Sequence, residues 1–230
     1  MSESLAKLQL VIFDWDGTLM DSTGHIVASV QAAAQDLGWP PPPAERVRSV
    51  IGLSLDQALA RTLPGLSRAE AQAFQTAYRE RYLAEDRDEG GLYPGALRVL
   101  DRLQGQGIWS AVATGKGRAG LDRVLSELDI EARFVATRCA DEARSKPHPQ
   151  MLEDLLDVTG LEADQALMVG DTSFDLEMAA AIRMPAVAVT GGAHPEARLR
   201  ECRPLAILPG VSHLDEWLAG QGVFPSRQGQ

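Results

Sequence analysis

Short apolar runs punctuate this 230-residue chain at positions 8–13, 108–113, 134–136, 166–169 and 186–189. Each is too short for a helix and too uniformly apolar for a strand with one wet face, so each reads as a strand buried on both sides. Between the later runs lie helical stripes. Leu121, Val124, Leu125 and Leu128 fall at i, i+3, i+4 and i+7, and Met151, Leu152, Leu155, Leu156 and Val158 make a second one-sided stripe. Alternation of strand and helix predicts a parallel sheet wrapped by right-handed crossovers, a doubly wound α/β body.

The intervals between strand ends are uneven. Thr114 to Lys146 is 32 residues and Lys146 to Asp171 is 25, each near the ~30 of one βαβ unit. Asp14 to Thr114 is 100, too long by about two units. The excess predicts a domain inserted over 19–90, with 1–18 and 91–230 forming the body. Its pattern is helical: Ile26, Val30, Ala33 and Ala34 suggest one amphipathic helix, Leu55, Leu59 and Leu63 a second, and positions 69–83 a long third, with no strand pattern among them. Prolines 40–43 after Trp39 read as a stiff connector. The charged stretch 85–89, with Gly90, Gly91 and then Pro94-Gly95, reads as a hinge back to the body.

Composition narrows the class. Hydrophobic residues at 45% and charged ones at 23% are globular values that permit a sizeable core. A formal net charge of −10 argues against a nucleic-acid or anionic-membrane binder, which needs a basic surface. The two cysteines, Cys139 and Cys202, have no CxxC spacing and read as free thiols in a reducing compartment. Asp14 interrupts the first apolar run before it reaches signal-peptide length, and no segment approaches ~18 uninterrupted apolar residues. The expectation is a cytoplasmic, soluble protein. Of the 22 basic residues only Lys7, Lys116 and Lys146 are lysine, so each lysine marks a place where a compact point charge is preferred over a planar fork.

Ligands of open α/β sheets bind at the strand ends, and the first strand ends in Asp14-Trp15-Asp16-Gly17-Thr18-Leu19. A carboxylate there can act as nucleophile or hard-metal ligand, a second one two residues on can serve as acid and base, and Gly17 permits the tight turn. This DxDGTL sequence resembles the first motif of the haloacid dehalogenase-like hydrolase superfamily, most of whose members are phosphatases using an aspartyl-phosphate intermediate. That family also has a Ser/Thr ending the second strand, a downstream Lys and a GDxxxD pair. The chain offers Thr114 in VATGK, Lys146 in SKPHP and Asp171 with Asp175 in GDTSFD, in that order. A helical insert after the first motif is similar to the small α-helical C1 cap of the phosphoglycolate phosphatase and β-phosphoglucomutase-like branch, on a Rossmann-like core.

The resemblance implies a Mg²⁺-dependent phosphatase acting on a small phosphorylated metabolite, phosphoglycolate-like or a sugar phosphate. Asp14 would attack phosphorus, and Asp16 would protonate the leaving alkoxide and then activate water. Asp14, the Asp16 carbonyl and Asp171 suit Mg²⁺ as hard oxygen ligands. Thr114 and the Gly115 amide would hold phosphoryl oxygens, with Lys146 as fixed positive charge. Asp175 would orient Lys146 or metal-bound water. A phosphomutase or a pyrophosphatase uses the same motifs, so these stay open. A dehalogenase is disfavoured, because Asp16 is a proton donor that a halide leaving group does not need. A receiver-type signalling domain also phosphorylates an Asp near a Thr and a Lys, but it is about half this length and has no place for an insert.

Residues that would read the leaving group are less defined. Ser54 is first read as a helix N-cap and second as part of a loop closing over substrate. His25 lies where the body passes into the insert and is a candidate to face substrate. His25, His148, His194 and His213 share no metal-ligand spacing and otherwise read as surface or helix-start residues. Lys116, at the start of a helix, sits against the positive end of the dipole and needs a compensating anion, either a cap carboxylate or a second anionic group of the substrate. Protein partners are not legible.

Overall fold

Burial of both sheet faces organises the molecule. The structure is a computed structural model and describes residues 5–84 and 91–224. Six parallel strands, β1 (Leu10–Phe13), β2 (Trp109–Ala113), β3 (Ala136–Arg138), β4 (Ala166–Gly170), β5 (Ala186–Val189) and β6 (Ala206–Leu208), form one sheet in the order β3-β2-β1-β4-β5-β6. Successive side chains of β1 alternate between two cores. Val11 and Phe13 join Val112, Leu167, Val169 and Val187 on one face. Leu10 and Ile12 join Ala111, Ala113 and Met168 on the other. The first face is covered by α5 (Ala96–Gly105), α6 (Arg118–Leu128) and α10 (Leu214–Gly220), the second by α7 (Gln150–Thr159) and α8 (Ser173–Ala181). Every residue of β1 is buried, and each large apolar side chain so buried contributes about 1.5–3 kcal/mol.

The doubly wound body is therefore as expected, with two differences at its edges. The strand read at 134–136 pairs two residues later, Ala136, Thr137 and Arg138 lying against Ala111, Val112 and Ala113. A 3₁₀ turn at Glu131–Arg133 precedes it, and Phe134 presents its ring edge-on to Trp15, with centroids 6.3 Å apart. The apolar Phe134 thus packs beside the sheet while the polar Thr137 and Arg138 carry the pairing. The sixth strand had no sequence signal beyond three apolar residues. A short helix α9 (Glu196–Glu201) links β5 to it.

The interval between β1 and α5 contains α1 (Thr23–Asp36), α2 (Ala44–Arg48), α3 (Leu55–Thr62) and α4 (Arg68–Ala84), and no named strand among its described residues. These helices share an apolar cluster of their own, including Val27, Val30, Ala33, Val47, Leu59 and Phe74, with Trp39 stacked on Phe74 at 6.0 Å. The five-residue α2 was not anticipated; it carries one buried residue, Val47, too few to show a period. The prolines pass between α1 and α2, where Gln31 donates to the Pro42 carbonyl at 2.9 Å. Of the expected hinge, 85–90 lies outside the described residues. The two crossings between body and insert run side by side, Asp21 N–H donating to Gly91 O at 3.0 Å and Tyr93 N–H to Leu19 O at 2.8 Å. No described helix is long and apolar enough to cross a membrane.

Candidate active site

Strand order reverses about β1, the central strand flanked by β2 and β4, so the crevice of a doubly wound sheet opens at its C-terminal end. Asp14 is the first residue past β1, anchored by its N–H to Val169 O at 2.9 Å. The chain then turns sharply, Trp15 O accepting from the amides of Thr18, Leu19 and Met20. Gly17 has φ +86°, and a Cβ there would lie 2.3 Å from Asp171 Oδ2, so glycine is required by both backbone and space.

Lys146 is the centre of the site. Its Nζ lies 2.8 Å from Asp14 Oδ1 and 2.6 Å from Asp175 Oδ1, with all three side chains buried. Burial opposes its charge, but Asp14 and Asp175 outweigh burial and raise its pKa. Asp175 is fixed in turn by a capping box at the start of α8: its Oδ2 accepts from Thr172 N–H at 3.1 Å and Thr172 Oγ1 at 2.6 Å. Asp171, at the end of β4, accepts from Thr18 Oγ1 and from the Ala193 amide, both at 2.7 Å.

Asp14, Asp171 and Asp175 can each present an oxygen within 4.8 Å of the others. Three carboxylates against one ammonium leave an excess of two negative charges. Burial pushes Asp14 well above the ordinary carboxylate range, with Lys146 pulling against it, and pushes Asp171 up to about 7 with help from Asp175. Asp14 Oδ2 is buried with no hydrogen-bond partner among the described residues. A divalent hard cation fits this donor set in charge and chemistry. The Asp16 carboxylate is not in the cluster. It accepts from Ser22 Oγ at 2.7 Å and pairs with Lys116 Nζ at 3.1 Å.

The protein carboxylate beside Lys116 is thus not one of the insert but Asp16 of the same body. Lys116 also donates to the Tyr82 hydroxyl at 3.2 Å and lies over that ring at 4.8 Å, so it bridges the body and α4. Thr114, just past β2, is buried and accepts from Lys116 N–H at 3.1 Å. Gly115 lies under the insert, where a Cβ would come within 2.5 Å of Gly52 O and 2.6 Å of Leu53 O. Ser54 caps α3 by accepting from Gln57 N–H and donates its own N–H to Ser145 Oγ at 2.8 Å. His25 packs on Tyr82 at 4.5 Å, with Nε2 beside the Tyr82 carbonyl; it backs a cavity residue and does not itself line the cavity.

His194 corrects the surface reading of the histidines, because it is buried. Ser173 N–H donates to its Nδ1 at 2.9 Å, which leaves Nε2 to donate to Ser49 O at 3.2 Å. Burial, and then Arg198, lowers its pKa to about 4. The sequence reading also missed Tyr82 and Thr18. A signal existed for both: Thr18 belongs to the DxDGT motif, and Tyr78 and Tyr82 stand at i, i+4 on the long helix read at 69–83. Ser145 likewise belongs to the SKPHP motif, but its reach to Ser54 has no local signal.

A cavity of about 550 Å³ lies between sheet and insert, with Asp14, Asp16 and Thr114 on its floor and Leu59, Phe74 and Tyr78 among its walls. A buried lysine thus lies between Asp14, just past β1, and Asp175, in the first turn of α8, with Asp171, just past β4, beside them, and the comparisons give the family. The chain belongs to the haloacid dehalogenase-like hydrolases, whose family description matches residues 11–189. It is 36% identical over 213 residues to a probable phosphatase IndB of Dickeya dadantii, covering 89% of this chain and 91% of that protein. It is 32% identical over 193 residues to a phosphoglycolate phosphatase of Aliivibrio fischeri, covering 80% and 85%. A haloacid dehalogenase-like hydrolase structure from Bacteroides fragilis superposes with TM-score 0.83 at 22% identity, covering 90% of this chain and all of that one.

Proposed function

We propose that this protein is a Mg²⁺-dependent phosphatase that hydrolyses a small phosphorylated metabolite through an aspartyl-phosphate on Asp14. The observation carrying this reading is the state of Asp14: one oxygen is held by Lys146 and the Trp15 amide, while the other is buried and unpartnered. A carboxylate oriented through one oxygen and bare at the other is arranged to attack. Residues 1–18 and 91–230 form the catalytic body and 19–90 the cap in this reading.

Asp14, the Asp16 carbonyl and Asp171 would hold Mg²⁺, which supplies charge neutralisation between the nucleophile and the phosphoryl oxygens. Lys146 keeps positive charge beside Asp14 where negative charge gathers, and Asp175 fixes its direction. Thr114 and the Gly115 amide bind phosphoryl oxygens. Asp16, held by Ser22 and Lys116, gives its proton to the leaving oxygen and takes one back from water. The capping position over the C-terminal end of β2 lets residues 50–54 exclude water from the cleft. Free Cys139 and Cys202 support a cytoplasmic location.

Asp14→Asn tests the reading, because the amide is isosteric but neither nucleophilic nor a good Mg²⁺ ligand. Phosphate release from a panel of phosphorylated metabolites should fall below about a hundredth of wild type with the melting transition retained. Turnover above that level removes Asp14 as nucleophile.

A further inference from the structure

We propose that the leaving group of the natural substrate is an apolar alcohol of ring size or larger, seated in the cavity between the sheet and helices α1–α4. This rests on the phosphatase reading and deepens it to a substrate class.

The cavity is continuous with the reacting groups, since Asp14, Asp16 and Thr114 form part of its wall. Its volume of about 550 Å³ falls among pockets that enclose a whole small-molecule ligand, roughly 300–1,000 Å³. A phosphoryl group on a two-carbon acid would leave most of it empty. Away from the floor the wall is built from Ile26, Val30, Ile51, Leu59 and Phe74. Val30, Ile51, Leu59 and Phe74 are at the same time part of the insert's apolar cluster. The cap is therefore hollow on the side that faces Asp14.

The placement of polar groups decides between substrate classes. Ser54, Thr62, Gln75 and Tyr82 on the wall already bond Gln57, Ala58 O, Asp56 and Lys116, so a sugar would bring most of its hydroxyls against apolar side chains, and each buried unpaired hydroxyl is unfavourable. Among charged lining residues, Asp56, Arg79 and Asp141 are exposed and Arg123 is half-buried, which places them at the mouth. Lys116 is already engaged by Asp16 and Tyr82. A doubly anionic phosphorylated acid thus finds no uncommitted buried cation beyond the phosphoryl site among the described residues. Tyr78 also lines the chamber and adds its hydroxyl to these polar contacts. An apolar occupant gains on entry by removing its own surface and that of the apolar wall from water.

The test is a ladder of ethyl, butyl and hexyl phosphate with Mg²⁺, scored by released phosphate alongside phosphoglycolate. Leaving-group basicity is nearly constant along the ladder, so the chemical step is held fixed. We expect kcat/KM to rise about fourfold per added methylene until the chamber is filled. A flat or falling ladder, or phosphoglycolate exceeding hexyl phosphate, overturns the proposal. Calorimetric titration of the same esters into Asp14→Asn protein separates the two readings. Tighter binding of hexyl than ethyl phosphate with a negative heat-capacity change, but no hydrolysis by wild type, would sink the phosphatase reading and support the chamber. Hydrolysis with a flat ladder in both measurements would do the reverse. Ala58 lines the chamber from α3, so Ala58→Phe should collapse the hexyl-to-ethyl ratio toward one; an unchanged ratio counts against the proposal. The wild-type ladder is decisive whether or not that variant folds.

Discussion

Removing the ammonium at the centre of the site should destabilise the protein more than any other single charge deletion. Lys146→Met keeps the length of the side chain and deletes the group lying 2.8 Å from Asp14 and 2.6 Å from Asp175. Both acids, and Asp171 beside them, then face one another in a buried site with no counter-charge. Breaking a buried pair in this way is worth about 3–5 kcal/mol. For a chain of this size each kcal/mol moves the melting temperature by about 2–4 °C, so a drop of about 6–20 °C is expected in chelator. The effect must also depend on pH with a definite sign. Burial, and then Asp175, pushes Asp171 up to about 7 in the folded state from an ordinary carboxylate value of 3.8. The native state therefore holds more protons than the unfolded chain between those values, and this carboxylate's contribution falls as pH rises through that window. Loss of the ammonium adds to the same imbalance, so Lys146→Met should be closer to wild type at pH 5 than at pH 8.

Thermal denaturation followed by circular dichroism, in chelator, provides the assay. A partner variant sharpens it. Asp175→Asn alone leaves Lys146 with Asp14 and keeps an oxygen to accept from Thr172. Combined with Lys146→Met it deletes one of the stranded charges, so the double variant should recover part of the loss, with a coupling of about 1–3 kcal/mol. A Lys146→Met protein within about 1 kcal/mol of wild type, or strictly additive substitutions, would refute the argument that the three acids are held together by this ammonium.

Asp16→Asn should reduce turnover of alkyl phosphates far more than of aryl phosphates, whose leaving oxygen needs little protonation; equal losses on both remove the acid role. Lys116→Met should lower kcat for small and large esters alike, because Lys116 pairs with Asp16 and Tyr82, and a rise in KM confined to an anionic-tailed substrate would instead restore it as a substrate-binding cation. His194 is neutral when folded, with a pKa lowered to about 4 against 6.5. The unfolded chain takes up a proton there first as pH falls, so the stabilising contribution present above 6.5 is lost toward 4. The stability difference between wild type and His194→Gln should shrink over that range in paired melts, and a constant difference would refute the assignment.

How much was legible follows from where each signal resides. Strands β1, β2, β4 and β5 are buried on both faces, so their residues must be apolar and stand out as runs. Strand β3 carries Thr137 and Arg138 at a sheet edge where polarity is tolerated, and β6 is three residues long; neither has a pattern to read. Asp14, Asp16 and Asp171 follow strand ends, Lys146 lies in the loop before α7 and Asp175 in the first turn of α8, and their spacing and motifs are themselves sequence properties. Ser145 reaching Ser54, Tyr82 reaching Lys116 and His194 reaching Ser49 are meetings of segments more than 30 residues apart. Each is decided by how the insert settles on the body, which no local periodicity records. At Lys116, likewise, helix-dipole reasoning requires an anion but cannot say that the turn after β1 brings Asp16 to it.

In the proposed reading, contacts of this kind would let the insert choose substrate without contributing an acid or base to the chemistry. It meets the body beside each half of the site. The carbonyls of Gly52 and Leu53 close over Gly115, next to Thr114. Tyr82 completes the surroundings of Lys116, which holds Asp16. Ser49 accepts from His194, whose neighbour Ala193 donates to Asp171. A cap seated at all three places leaves the acids, Thr114 and Lys116 in the geometry described here, and encloses the apolar chamber against Asp14. An alcohol that fills the chamber would add apolar contacts to this seating. A substrate too small or too polar to do so leaves the seating to the protein's own contacts. In the proposed reading, discrimination by leaving group would come from the contacts a leaving group makes in the chamber, while the strand ends, identical for every substrate, would handle the phosphoryl group.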